Sequence, residues 1–209
     1  SVKLSKTFCY EKLLFRQTNQ IIIKLNLFKM KSKLFFTAIF TLCLFVNFDA
    51  SAQKFPGLDK SPMDGASYPS SYKISDKVVK ITYGRPQLKG RAVSELAPAG
   101  KVWRTGANEA PEITFYKDVN FGGKDVKAGT YTLFTIPNEG EWTVILSTAS
   151  NVWGAYFYKE NEDVVRVTAK VSNAAESIEA FSIMFDGEGS DFQMHFGFGD
   201  VVASLPVKG

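Results

Sequence analysis

Between Tyr83 and Glu109 the sequence gathers side chains suited to chemistry: Tyr83, Arg85, Lys89, Arg91, Lys101, Trp103, Arg104, Asn108 and Glu109. Arg85, Arg91 and Arg104 are planar forks that match carboxylate or phosphate geometry. Each charge-assisted bond contributes about 1.5–3 kcal/mol when shielded from water. Trp103 and Tyr83 offer ring faces for stacking, and Asn108 and Glu109 add an amide and a carboxylate beside the forks. This set predicts a pocket for a small polar or anionic ligand, or for a cell-envelope partner. The same residues allow an enzyme, a hydrolase or isomerase without cofactor. In it Glu109 is the general acid or base, and Arg104 or Arg85 stabilises developing negative charge. They also allow a structural module in which Arg104 pairs with Glu109, Trp103 fills the core and a sheet edge serves for assembly.

Charge singles out the same stretch. The 209 residues hold 25 Lys+Arg and 21 Asp+Glu, a formal net charge of +4. Residues 1–52 contain eight of those positive and two of those negative side chains, which leaves 17 against 19, or −2, for residues 53–209. From Gly84 to Glu109 five positive residues stand against two negative, +3, so the remainder of residues 53–209 is −5. A basic loop region on an acidic domain predicts a binding site and gives no reason to expect nucleic acid.

Other candidates are weaker. His195 is the single histidine; it alternates with Phe192, Phe196 and Phe198 in a way that turns it from the core, and no Gly-x-Ser-x-Gly elbow accompanies it. Glu160, Glu162 and Asp163 lack the spacing of a calcium loop, and the acidic run Asp186 to Asp191, denser in oxygen ligands, reads as an acidic hairpin turn. With two cysteines, Cys9 and Cys43, neither a disulfide scaffold nor a Cys/His zinc site can be assembled. No metal and no cofactor is expected.

Around the basic stretch stand Tyr83-Gly84-Arg85-Pro86, Lys89-Gly90-Arg91 and Gly100-Lys101-Val102-Trp103-Arg104-Thr105-Gly106-Ala107-Asn108-Glu109-Ala110. Further on come Ala128-Gly129-Thr130-Tyr131-Thr132-Leu133-Phe134, Glu141-Trp142-Thr143-Val144-Ile145 and Trp153-Gly154-Ala155-Tyr156. From Ser61 to Phe185 this pattern resembles the secreted Bacteroidota family known as domain of unknown function 2911. The chain departs from it at Val93-Ser94-Glu95, where related chains carry an aromatic-glycine pair. The resemblance implies export and a β-rich domain, and brings no activity, substrate or catalytic residue.

The elements that must hold these residues are strands. Val79, Ile81 and Tyr83 alternate with Lys80 and Thr82, Trp142, Val144 and Leu146 with Thr143, and Val165, Val167, Ala169 and Val171 with Arg166, Thr168 and Lys170. Further strands are expected at Ile113–Tyr116, Val119–Phe121, Thr130–Ile136, Ile178–Phe185, Phe192–Phe198 and Val201–Val207, with turns at Gly122-Gly123, Ala128-Gly129, Pro137 to Gly140 and Asp186 to Gly189. About nine short strands indicate an all-β fold, a single antiparallel sandwich of Ig-like or jelly-roll-like form over residues 72–209. An open barrel is the competitor. One helical turn is expected near Val93 to Leu96.

Residues 53–71, rich in Pro, Gly and Ser, read as a flexible lead-in or an irregular strand. Before them Met30, Lys31 and Lys33 precede the apolar run Leu34 to Val46 and then Ala50-Ser51-Ala52. That is the order of a secretory signal peptide cleaved after Ala52, with an apolar run too short to span a bilayer. A lipid anchor on Cys43 is disfavoured by Leu42. Residues 1–29 read as an extension upstream of the true start at Met30, with no capped element around Ile21-Ile22-Ile23. The expected product is exported, periplasmic or extracellular, with no membrane span.

Overall fold

In a computed structural model the described residues are 16, 18–33, 35 and 53–209. The chain divides into two units, Ser1–Pro56 and Gly57–Gly209. In the first, residues 18–33 are helical, so the segment around Ile21 is an element after all. Without a strand partner, a local helix is how its backbone groups find hydrogen bonds. The apolar run 36–46 and the cleavage motif lie outside the described residues, of which no helix is long and apolar enough to cross a membrane.

The second unit is all-β. Its strands are β1 (Met63–Tyr68), β2 (Val79–Gly84), β3 (Glu112–Phe115), β4 (Val119–Phe121), β5 (Lys124–Val126), β6 (Gly129–Pro137), β7 (Glu141–Ser147), β8 (Asp163–Glu188) and β9 (Asp191–Lys208). They form one antiparallel sheet in the order β1-β2-β3-β6-β7-β8-β9-β4-β5. The sheet is not a closed barrel. It folds over a main core that joins Val79, Ile81 and Ile113 of one arm to Phe181, Phe196 and Phe198 of the other. The bridge Gln87↔Ala180 and the bond from Phe181 N–H to the Pro86 carbonyl tie the end of β2 to the far half of β8.

Of the two readings of the lead-in, the strand is the one present: Met63–Tyr68 pairs residue by residue with Val79–Gly84. Two features depart from the sequence expectation. The expected strand pairs 165–171 with 178–185, and 192–198 with 201–207, are single strands, bent where the β8–β9 register shifts between Asn173 and Ile178 and again before Ser182. Such irregularities let a strand turn a corner and serve both arms of a sandwich. Short β5 adds an edge beside β4. The turn at Val93–Leu96 is present, its entry stabilised by the Ala92 N–H donating to Glu95 Oε1 at 2.8 Å.

β6 and β7 are buried on both faces. Leu133, Val144 and Leu146 enter the main core, whereas Phe134 and Ile145 lie on the opposite face beneath Val102, Val152, Ala155 and Tyr158. The loop between β7 and β8 is therefore a flap folded over the outer face of the sheet.

Candidate functional site

Most of the basic segment is spent on holding the fold. Trp103 is buried among Trp142, Phe181 and Phe198, stacked on Phe198 at a centroid distance of 6.1 Å and edge-on to the other two. Tyr83 is buried too; its hydroxyl donates to the Ile183 carbonyl at 3.3 Å and accepts the Ile183 N–H at 2.9 Å. Burial pushes the Tyr83 phenol upward. Neither ring offers a stacking wall.

The guanidiniums point to different partners. Arg85 donates from Nε to the Phe181 carbonyl at 3.0 Å, from Nη1 to Asp64 at 2.9 Å and from Nη2 to the Ser182 hydroxyl at 2.6 Å. It stitches β1 and β2 to β8. Arg91 donates to the Leu88 and Gln87 carbonyls, closing its own turn. Arg104 reaches the Asn108 carbonyl at 3.4 Å and does not pair with Glu109. Lys89 and Lys101 are exposed; Lys89 enters the structure through its backbone N–H, which donates to Glu179 at 2.8 Å.

The glycines of the segment have a steric reason. A Cβ on Gly84 would stand 2.3 Å from the Ala107 carbonyl oxygen, and one on Gly106 would stand 2.8 Å from the Gly84 oxygen. The two glycines let two backbones touch. That contact, with the left-handed Thr105 and Asn108, turns the chain so that Glu109 faces outward.

Around Glu109 a different site assembles. Glu109 forms an isolated antiparallel bridge with Trp153 on the flap. Directly opposed residues in such a pair share one face, their Cβ atoms about 4.5–5.5 Å apart. Both are exposed, Trp153 at 55%. Beside them lies a cavity of about 200 Å³ lined by Met63, Thr82, Gly84, Glu109, Glu112 and Asn151. Thr82 and Glu112 are register partners on β2 and β3, on the face opposite core residues Ile81 and Ile113.

Polar capacity remains open in this cleft. Glu112 Oε1 accepts the Asn151 N–H at 3.1 Å, which fixes the flap to β3. Among the described residues the Glu109 carboxylate, the Thr82 hydroxyl and the Asn151 amide make no hydrogen bond, and no lysine or arginine lines the cavity. Asn108 lies next door, where its amide donates to Asp59 at 3.0 Å; hydrogen bonds from Ser61 and Asn108 hold the Asp59 carboxyl below its usual range.

The flap is rigidly seated. Gly154 N–H donates to the Asn108 carbonyl and Ala110 N–H to the Val152 carbonyl. At its far end the Tyr158 hydroxyl donates to Asp163 at 2.6 Å, and Arg166 bonds both. Burial, then the bond to Asp163, pushes the Tyr158 phenol up to about 12. Val152, Ala155 and Tyr158 face the sheet, while Trp153, Tyr156 and Phe157 remain exposed. The model of the family described as "Protein of unknown function (DUF2911)" matches residues 61–207. The chain belongs to that family. A search of the curated proteins and of the solved structures finds no match. The DUF2911 match includes β1, both glycines of the backbone contact, and the whole flap.

The remaining candidates have local roles. His195 is half-buried, its Nδ1 2.7 Å from the Ser204 hydroxyl, and burial lowers its pKa while Asp186 opposes that shift. Glu160, Glu162 and Asp163 are engaged by Arg166 and Lys159. Sequence reasoning named Glu109 and missed Thr82, Glu112, Asn151 and Trp153. The outward parity of Thr82 was a usable signal, but its meeting with Glu112, Asn151 and Trp153 is tertiary.

Proposed function

We propose that the protein is an exported binding module that holds a small, polar, uncharged ligand in the cleft between Glu109, Glu112 and Trp153. One observation carries this reading. The Glu109 carboxylate lines a cavity whose polar groups have bonding capacity left over, and its bridge partner Trp153 exposes an indole next to the lining residue Val152. Exposed aromatic groups beside uncommitted polar ones are the usual equipment of a small-molecule site. Two carboxylates without a cation repel an anion, which turns the expectation of an anionic ligand toward a neutral one. Arg85 and Arg91 lie outside this reading, because neither lines the cavity and each spends part of its guanidinium on bonds within the fold. Export rests on the pattern of residues 30–52.

The test is thermal unfolding of the full chain with panels of neutral polyols, amines and carboxylates. A ligand that binds the native state at 100 times its Kd adds about 2.7 kcal/mol of stability. Stabilisation by a neutral member, lost in Glu109→Gln, supports the reading; stabilisation by carboxylates alone, lost instead in Arg91→Ala, contradicts it. For export, a mature N-terminus at Gln53 is the expected result, and one upstream of it contradicts the cut.

A further inference from the structure

We infer that the ligand is a neutral glycan, one sugar ring seated in the Glu109–Glu112 cleft against Trp153 and the chain continuing across Tyr156. This rests on the reading of the cleft as a binding site and names its ligand class.

The donor and acceptor inventory selects hydroxyl groups. A sugar hydroxyl both donates and accepts. The cleft presents two carboxylates that accept, an amide at Asn151 that does both, and a hydroxyl at Thr82 that does both. An ammonium ligand would satisfy the carboxylates and leave the amide oxygen and the hydroxyl competing for the same few protons. A carboxylate or phosphate would face Glu109 and Glu112 with no cation among the lining residues. A ligand studded with hydroxyls satisfies all four groups.

Shape agrees. The cavity of about 200 Å³ is smaller than the about 300–1,000 Å³ of sites for drug-sized molecules. It has room for about one six-membered ring. Next to the lining residue Val152, Trp153 exposes an aromatic surface whose negative face attracts the electropositive C–H bonds on one side of a sugar ring. The pairing with Glu109 then places a hydrogen-bond acceptor at the rim of that platform.

Aromatic surface does not stop at the cavity. Tyr156 is 77% exposed and Phe157 79%. Gly154, with φ +70°, is where the flap turns: a Cβ there would stand 2.6 Å from the Tyr156 ring and 3.5 Å from Arg104 Nη1. The missing side chain lets the ring and the guanidinium settle around one point. Arg104 keeps only the long bond to Asn108 and has donors to spare. A second platform flanked by a donor, beyond a cleft that holds one ring, fits a ligand made of repeated rings.

The experiment is calorimetric titration of the full chain with neutral oligosaccharide ladders of one to six units built from glucose, mannose, galactose, xylose and N-acetylglucosamine. Polygalacturonate and spermidine serve as anionic and cationic comparators. Binding of at least one neutral ladder is expected, tightening about tenfold from the single sugar to the tetramer. Trp153→Ala and Glu109→Gln each weaken every member by about tenfold. Tyr156→Ala weakens only members of two or more units. Binding of spermidine but of no saccharide, lost in Glu109→Gln, overturns the glycan assignment and leaves the cleft as a site. Preference for polygalacturonate also overturns it. If no probe binds, or if binding ignores both Glu109 and Trp153, the glycan and the cleft fall together.

Discussion

Glu109 and Trp153 face each other across an antiparallel bridge, 44 positions apart in sequence, each with its side chain open to solvent. Two backbone bonds on the adjacent residues, Ala110 to Val152 and Gly154 to Asn108, clamp the pair. The backbone of an exposed tryptophan held this way needs no reordering on binding, which favours a role in recognition.

The contact between Gly84 and Gly106 is expected to be among the least tolerant in the molecule. Gly84→Ala places a methyl 2.3 Å from a backbone oxygen, where nothing flexible can yield. A loss of about 3 kcal/mol or more is predicted from denaturant unfolding. Gly123→Ala, at φ +88° in open space, carries only the left-handed penalty of about 1–2 kcal/mol. Equal losses at the two positions would refute the backbone-contact account.

The three tryptophans are predicted to separate cleanly. Trp103→Ala empties a site bounded by Trp142, Phe181 and Phe198 and costs about 3–5 kcal/mol. Trp153→Ala changes stability by no more than about 0.5 kcal/mol. In acrylamide quenching the fluorescence of Trp153 is accessible and that of Trp103 and Trp142 is shielded, so Trp153→Ala removes the quenchable component.

That contrast marks what the sequence made legible. Alternation in Val79–Tyr83 placed the inward residues correctly, because one face of β2 meets the core, and Trp142, Val144 and Leu146 were placed inward too, although Ile145 shows that β7 is buried on its other face as well. The helical turn at Val93 was visible too. The bend in β8 was not, since Asn173 to Ser177 lacks alternation and resembles a loop while remaining in the strand. Counting charges between Gly84 and Glu109 singled out a segment in which Arg85 and Arg91 bond to backbone carbonyls of the fold. Three arginines close in sequence diverge in space, because the left-handed turns at Lys89 and Thr105 send each toward a different carbonyl. Glu112, just before the expected strand Ile113–Tyr116, carried no signal in the sequence; only the folded flap delivers Asn151 to it.

Arg85 and Asp64 should behave unequally. Their bond is part-exposed, so Asp64→Ala costs about 0–1 kcal/mol. Arg85→Ala also strips the Phe181 carbonyl and the Ser182 hydroxyl of a donor and costs about 1–3 kcal/mol. Paired unfolding curves check this; equal effects would show that the ion pair alone matters.

His195 predicts a pH dependence. Burial lowers its folded pKa below the ordinary 6.5, so in mild acid the unfolded chain binds a proton that the folded one refuses. The contribution is therefore neutral above about pH 7 and becomes destabilising as pH falls from 6.5 toward the folded value. His195→Gln should flatten the stability profile in that window, as read by urea unfolding at successive pH values. A profile unchanged by the substitution would remove His195 as its source.

The site itself is tested most directly by mapping backbone amide shifts of the isotopically labelled full chain as neutral oligosaccharides are added. The account predicts that the largest shifts fall at Thr82, Glu109, Glu112 and Asn151 to Gly154, with Lys89, Arg91 and Lys101 unmoved. Shifts concentrated on Lys89, Arg91 and Lys101, or none at Glu109 and Trp153, would contradict it.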